Sequence, residues 1–134
     1  MADLDPSSGA GITLNTETCE THHLYGLLAY TTSTVQNDAR FKECIWREEN
    51  SLLYQIEMLF DCFSIAVVKT GIAQSREVLL AVLETVKRRN SIAKIAWDPV
   101  LKSSADFVFA SEQDLSHGSS LIQLLYVYLD YEHR

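Results

Sequence analysis

Asp5-Pro6-Ser7-Ser8-Gly9-Ala10-Gly11-Ile12 stands almost at the start of the chain, and the fold is read outward from it. Pro6 fixes its own φ, and the two serines offer hydroxyls. Gly9 and Gly11 open backbone conformations closed to other residues and let a ligand come close. The residues after it, 12–23, suit a short helix. A glycine-rich turn feeding a helix N-terminus gathers free N–H groups and suits a polar or anionic ligand. A plain surface loop is the alternative. No lysine follows the second glycine and no full G-x-G-x-x-G is present, which excludes a Walker loop and a dinucleotide fingerprint.

Outward from this turn the pattern alternates. Residues 24–33 form an apolar, β-prone run that reads as a strand buried on both faces, as in a parallel sheet. Its end delivers Gln36 and Asn37. Residues 38–47 are a charged connection that suits a flap or short β-ribbon. Over 49–63 the apolar residues Leu52, Leu53, Ile56, Leu59, Phe60 and Phe63 fall on one helical stripe. Residues 65–68 are a second buried strand, ended by Lys69-Thr70-Gly71-Ile72. Ser75 is an N-cap for a helix over 76–89, with Lys87, Arg88 and Arg89 placed to complement its C-terminal dipole. Residues 93–97 make a third strand, closed by Asp98-Pro99. After a serine-rich loop at 102–106, residues 113–125 suit a helix and 124–129 a fourth strand.

Strand and helix in alternation with short connections predict an α/β fold with a parallel sheet and right-handed crossovers. Ligands of such sheets bind beyond the carboxyl ends of the strands. Gln36, Gly71-Ile72 and Asp98-Pro99-Val100 all fall there.

Length and composition bound the function. The 134 residues suffice for one domain, and 47% hydrophobic content is ordinary for a packed core. A net charge of −7 argues against nucleic acid or an anionic membrane as partner. No apolar run reaches a membrane span, and the first residues do not look like a signal peptide, so a cytoplasmic location is expected. Cys19, Cys44 and Cys62 read as free thiols. No metal site is expected: there is no C-x-x-C pair, and His22 and His23 are adjacent.

Four stretches, in order and spacing, carry a resemblance. They are Asp5 to Ile12, Thr34-Val35-Gln36-Asn37, Val67-Val68-Lys69-Thr70-Gly71-Ile72 and Trp97-Asp98-Pro99-Val100-Leu101. Together they resemble the hydroxymethylpyrimidine/phosphomethylpyrimidine kinases of thiamine biosynthesis, in the ribokinase-like superfamily. The resemblance spans about residues 1–105, the N-terminal half of such an enzyme. It implies a three-layer α/β/α fold with a mostly parallel sheet, truncated at both ends, and a single partial domain over 1–134. It also implies ATP and Mg²⁺ as co-substrates, and an aminopyrimidine phosphorylated on its hydroxymethyl arm and then on the phosphate. The alternatives are a non-catalytic module that binds a pyrimidine or a partner chain, and a relative of the pyridoxal-type kinases.

The resemblance also assigns residues. Gln36 matches the ring-reading glutamine, whose amide both donates and accepts as an aminopyrimidine edge requires. Asn15 stands where the family has an acid; it either bonds the hydroxymethyl group or is a helix-surface residue. Ala10 and Gly11 would give close backbone approach, and Ile72 and Val100 apolar walls or simply core. Asp98 either faces Mg²⁺ and the phosphates or is a turn residue. Lys69 suits a strand-end ion pair. No catalytic residue is identified: the late glycine-rich helix N-terminus that carries the family's anion hole has no counterpart in this sequence. A homodimer, or completion by a C-terminal half, is therefore expected.

Overall fold

The computed structural model describes residues 1–37, 39–100 and 119–128. In chain order the elements are β1 (Ala2–Leu4), α1 (Gly11–Thr21), β2 (Tyr30–Asn37), β3 (Arg40–Trp46), α2 (Glu49–Cys62), β4 (Val67–Thr70), α3 (Arg76–Arg89), β5 (Lys94–Trp97), α4 (Ser119–Leu124) and β6 (Val127–Tyr128).

Two three-stranded sheets result, in the orders β1-β2-β3 and β4-β5-β6. β1 runs parallel to β2, β2 antiparallel to β3, and β4, β5 and β6 all parallel. Met1 joins the two. Its nitrogen donates to the Lys69 carbonyl, and its own carbonyl accepts from Gly71 N at 2.9 Å. A residue that donates to one position and accepts from the next but one is paired as in a parallel ladder. The strands therefore follow one another as β3-β2-β1-β4-β5-β6, and Thr31 Oγ1 adds a bond to the Ile72 carbonyl at 2.9 Å across the same seam.

The helices form for legible reasons. Glu48 caps α2, its carboxylate accepting from Asn50 N and Ser51 N. Ser75 caps α3 through Val78 N, and Lys87, Arg88 and Arg89 occupy its last turn. α2 and α3 pack together, with Arg88 paired to Glu57 at 2.8 Å and Arg89 to Asp61 at their rim. The core lies where Leu52 and Ile56 of α2, Leu79, Val82, Leu83 and Val86 of α3, Ile95 and Trp97 of β5, and Leu121 of α4 meet.

Several expected boundaries move. The strand expected over 24–33 forms over Tyr30–Asn37 instead. The apolar residues before it stay outside the ladder, and Leu24 and Tyr25 are 63% and 82% exposed. The strand expected at 65–68 begins at Val67, which is 62% exposed rather than buried. Both departures have one cause. Residues 24–29 and 64–69 line the two sides of a cavity of about 540 Å³. The ribbon expected over 38–47 is β3. Of the helix and strand expected over 113–129, Ser119–Leu124 and Val127–Tyr128 are present; residues 113–118 and 129 lie outside the described set.

Candidate functional site at the strand ends

The turn that leaves β1 is organised by Asp5, which is 4% exposed. Its Oδ1 accepts from Ser7 N at 2.9 Å and from Ser7 Oγ at 2.7 Å, an Asx-turn arrangement. Ser8 N closes the turn on the Asp5 carbonyl at 3.2 Å, with Ser8 at φ 62°. The Ala10 amide and the Gln36 side chain act on the Asp5 carboxyl in the same sense as Ser7, favouring its charged form. Burial alone would raise its carboxyl, but these bonds outweigh burial and hold it below the usual carboxylate range.

Gln36 reaches this turn from the end of β2. Leu4 stands opposite Ser33, and Thr34 Oγ1 donates to the Leu4 carbonyl at 3.2 Å, so β2 runs alongside the exit of β1. The β2–β3 register shifts between Val35 and Gln36. Such a bulge re-aims the side chain that follows it. Asn37 is a turn residue, its Oδ1 accepting from Ala39 N and Arg40 N.

Gly11 opens α1 at φ 65°, where a Cβ would stand 2.3 Å from the Asp3 carbonyl oxygen. Only glycine lets the helix start so close to β1. Ala10, its N-cap, gives no side-chain cap.

A second group of side chains meets at the ends of β4 and β5. Lys69 Nζ lies 3.2 Å from Asp98 Oδ2 and 3.5 Å from Asn15 Oδ1. One ammonium thus joins α1, β4 and the turn after β5. Asp98 N donates to the Thr70 carbonyl at 2.8 Å, which fixes that turn. Asp3 of β1 feels the charges of both groups. Burial raises its carboxyl, and the charge of Asp5 pushes the same way while Lys69 opposes.

The expected site residues therefore fall into three sets. Ala10, Gly11 and Gln36 surround the Asp5 turn. Asn15 and Asp98 are joined by Lys69. Ile72, 4% exposed, and Val100 line a void of about 10 Å³ together with Trp97 and Pro99, so they pack as wall and core at once. Sequence reasoning gave Asp5 no role of its own. Its partner Gln36 lies 31 positions away, and the only sequence signal is an Asp two residues before a Ser at a turn.

The 540 Å³ cavity touches these residues only at its rim, through Asn15 and Lys69. Its walls are otherwise mostly apolar, from residues 24–29, the end of α2 and β4. Among the described residues no three His, Cys, Asp or Glu side chains are gathered to hold a metal ion, and Asp98 already has Lys69 as counter-ion. These residues do not by themselves fit a Mg²⁺ site.

Residues 5–127 match the family model described as phosphomethylpyrimidine kinase. A hydroxymethylpyrimidine/phosphomethylpyrimidine kinase of Aquifex aeolicus is 28% identical over 113 residues, covering 84% of this chain and 44% of that protein. A bifunctional thiamine biosynthesis protein of Methanocaldococcus jannaschii is 30% identical over 109 residues, 81% of this chain and 25% of that one. The crystal structure of a phosphomethylpyrimidine kinase from Clostridium difficile 630 superposes with a TM-score of 0.78 at 27% identity, over 95% of this chain and 55% of that one. The chain spans half or less of the length of these curated relatives.

Proposed function

The chain belongs to the phosphomethylpyrimidine kinase family, and from that membership we propose that its strand ends bind 4-amino-5-hydroxymethyl-2-methylpyrimidine or its monophosphate. The observation that carries the reading is the placing of Gln36 near the end of β2 and of Lys69 and Asp98 at the ends of β4 and β5, with Asn15 of α1 joined to Lys69. Gln36 reads the ring edge with an acceptor and a donor. Asn15 turns its Oδ1 to Lys69, which leaves its amide N–H groups for the oxygen of the hydroxymethyl arm. Asp98 serves to hold Lys69 in place. ATP, implied by the family, would supply the phosphoryl group.

Calorimetric titration of the chain with the hydroxymethylpyrimidine tests this. Binding that weakens at least about tenfold in Gln36→Ala supports it, the loss of roughly one well-made hydrogen bond pair. No heat, or equal affinity in the variant, overturns it.

A second reading is favoured by the chain's covering 44% of its Aquifex relative: it binds the pyrimidine without transferring phosphate. Phosphoryl transfer depends on positioning and charge stabilisation of the moving group. Loss of one oxyanion-type donor costs about a hundredfold or more. A coupled ADP-release assay on the purified chain separates the two. Pyrimidine-dependent turnover establishes the kinase; binding without turnover establishes the module.

A further inference from the structure

β1 runs parallel to β2, and Met1 pairs with β4 in the parallel sense. Residues that precede Tyr30 and Lys69 therefore lie upstream of Met1 along the same line, and residues 24–29 and 64–68 wall the 540 Å³ cavity there. The backbone of β4 shows what that wall offers. Lys94 N donates to the Ala66 carbonyl at 2.9 Å, and Asp98 N to the Thr70 carbonyl at 2.8 Å. Even-numbered residues thus turn their peptide groups toward β5. Odd-numbered ones turn the other way: the Lys69 carbonyl takes the Met1 nitrogen, and Gly71 N donates to the Met1 carbonyl. By the same alternation Lys69 N and the Val67 carbonyl face the cavity. Among the described residues neither has a hydrogen-bond partner. They are one donor and one acceptor, placed as the next rung of a parallel ladder.

The lining sets the rest of the chemistry. Leu28, Phe60 and Val67 make apolar walls, and the Tyr25 ring lies 5.9 Å from that of Phe63. Among the described lining residues there is no Asp or Glu, while the Lys69 ammonium and the Met1 amine can both carry positive charge. In a chain of net charge −7 such a lining is an exception. Desolvation, reinforced by the Lys69 charge, lowers the amine to about 5, as befits a cation short of a counter-ion.

We propose that this cavity is a docking site for the carboxyl-terminal end of a partner chain, an apolar segment that enters extended, adds a rung to β4 in line with β1, and brings its terminal carboxylate to the Met1 amine. Main-chain bonds to a free strand edge supply affinity in this mode, and the flanking pockets supply selectivity. Charge sets the direction. A segment parallel to β4 points its carboxyl end at Met1, whereas an antiparallel one would set its amino end there, cation against cation. A volume of about 540 Å³ suits a few residues rather than a long strand. The site does not rest on the pyrimidine reading, which it touches only through Asn15 and Lys69 at the rim.

The test uses the whole chain labelled with ¹⁵N-lysine and the peptide acetyl-Lys-Lys-Val-Ile-Val-Ala with a free carboxylate. Amide exchange is followed by NMR, with Lys69 assigned by its absence in Lys69→Arg. Saturating peptide is expected to slow exchange at Lys69 at least about tenfold. Exchange at Lys94, already bonded to Ala66, stays unchanged. The same peptide ending in a carboxamide is expected to bind at least about tenfold more weakly in calorimetry. Leu28→Glu, a change at a lining position 43% exposed, is expected to abolish the protection of Lys69 while Lys94 keeps its own, which shows the fold intact. No binding, or no slowing at Lys69 under saturating peptide, overturns the site. Equal affinity for acid and amide overturns the role of the carboxylate. Protection retained in Leu28→Glu places the peptide outside the cavity. Without peptide, Lys69 exchange as slow as that of Lys94 assigns the rung to the chain itself, and slowing that grows with chain concentration assigns it to a second copy; either overturns the proposed partner.

Discussion

Lys69 on β4 and Asp98 just past β5 form an ion pair of 3.2 Å across the ends of two adjacent parallel strands. The Lys69 side chain is 44% exposed, that of Asp98 12%. Partial exposure screens the pair, so its worth to stability is small. Its larger effect is on the orientation of Asn15, which shares the same ammonium.

Lys69→Met is therefore expected to shift unfolding free energy by less than about 1 kcal/mol, while weakening binding of the hydroxymethylpyrimidine. Urea denaturation and calorimetry on the same preparation check both. A large stability loss with unchanged affinity would mean that the lysine is structural alone.

Gly11→Ala puts a Cβ 2.3 Å from the Asp3 carbonyl oxygen at a residue with φ 65°. Backbone strain of this kind costs roughly 1–3 kcal/mol, and relief of the clash adds to it. The expected result is a lower urea midpoint with an unchanged slope. A midpoint equal to or above the wild type would show that the start of α1 can move away from β1 freely.

Leu83→Ala empties the centre of the core, where Leu83 is 0% exposed between α3 and its neighbours. Leucine-to-alanine changes at such sites cost about 2–5 kcal/mol. Against the usual total stability of about 5–15 kcal/mol, the variant is expected to melt well below the wild type in calorimetry. A shift of only a degree or two would place the core elsewhere.

Asp3 on β1 and Asp5 at the start of the turn that follows have opposite pH signatures. Hydrogen bonds hold the Asp5 carboxyl below its unfolded value, so its stabilisation is present above pH about 4 and is lost as pH falls through the lower folded value. Burial raises the Asp3 carboxyl above 3.8, so the folded state keeps that proton longer and loses stability as pH rises through the raised value. At pH 7 Asp5→Asn is expected to destabilise and Asp3→Asn to stabilise, the Asp3 difference fading as pH falls toward about 4 and the Asp5 difference fading below it. Urea midpoints between pH 3 and 7 decide this; differences of the same sign would contradict the assignment.

How legible this was in the sequence depended on range. α3 could be read in full, because a cap at Ser75, an apolar stripe and a basic last turn are all local. The strand at residues 24–33 was misplaced because an apolar run looks the same whether it lies in a sheet or lines a cavity. The real strand is hydroxyl-rich, and Thr31 and Thr34 earn their buried places through bonds to Ile72 and Leu4, distant partners that no periodicity records. Short β1 carries no pattern at three residues. Among the site residues, Gln36, Asn15 and Asp98 were named from the resemblance. The strand-end ion pair expected of Lys69 forms, but its partners, Asp98 and Asn15, follow from contacts between segments far apart in the chain.

The pairing of Met1 with residues 69–71 has a consequence for the order in which the chain assembles during synthesis. Met1 has no partner on β4 until a strand nearly seventy positions later has left the ribosome. Contacts of such long sequence separation are slow to close. Until then β2 and β3 can pair as a local hairpin with β1 beside β2, while the seam between Met1 and β4 stays open. In pulse-labelling of nascent chains of increasing length, amides of β2 and β3 should gain protection first, with that of Gly71, which bonds the Met1 carbonyl, following only once β4 is free.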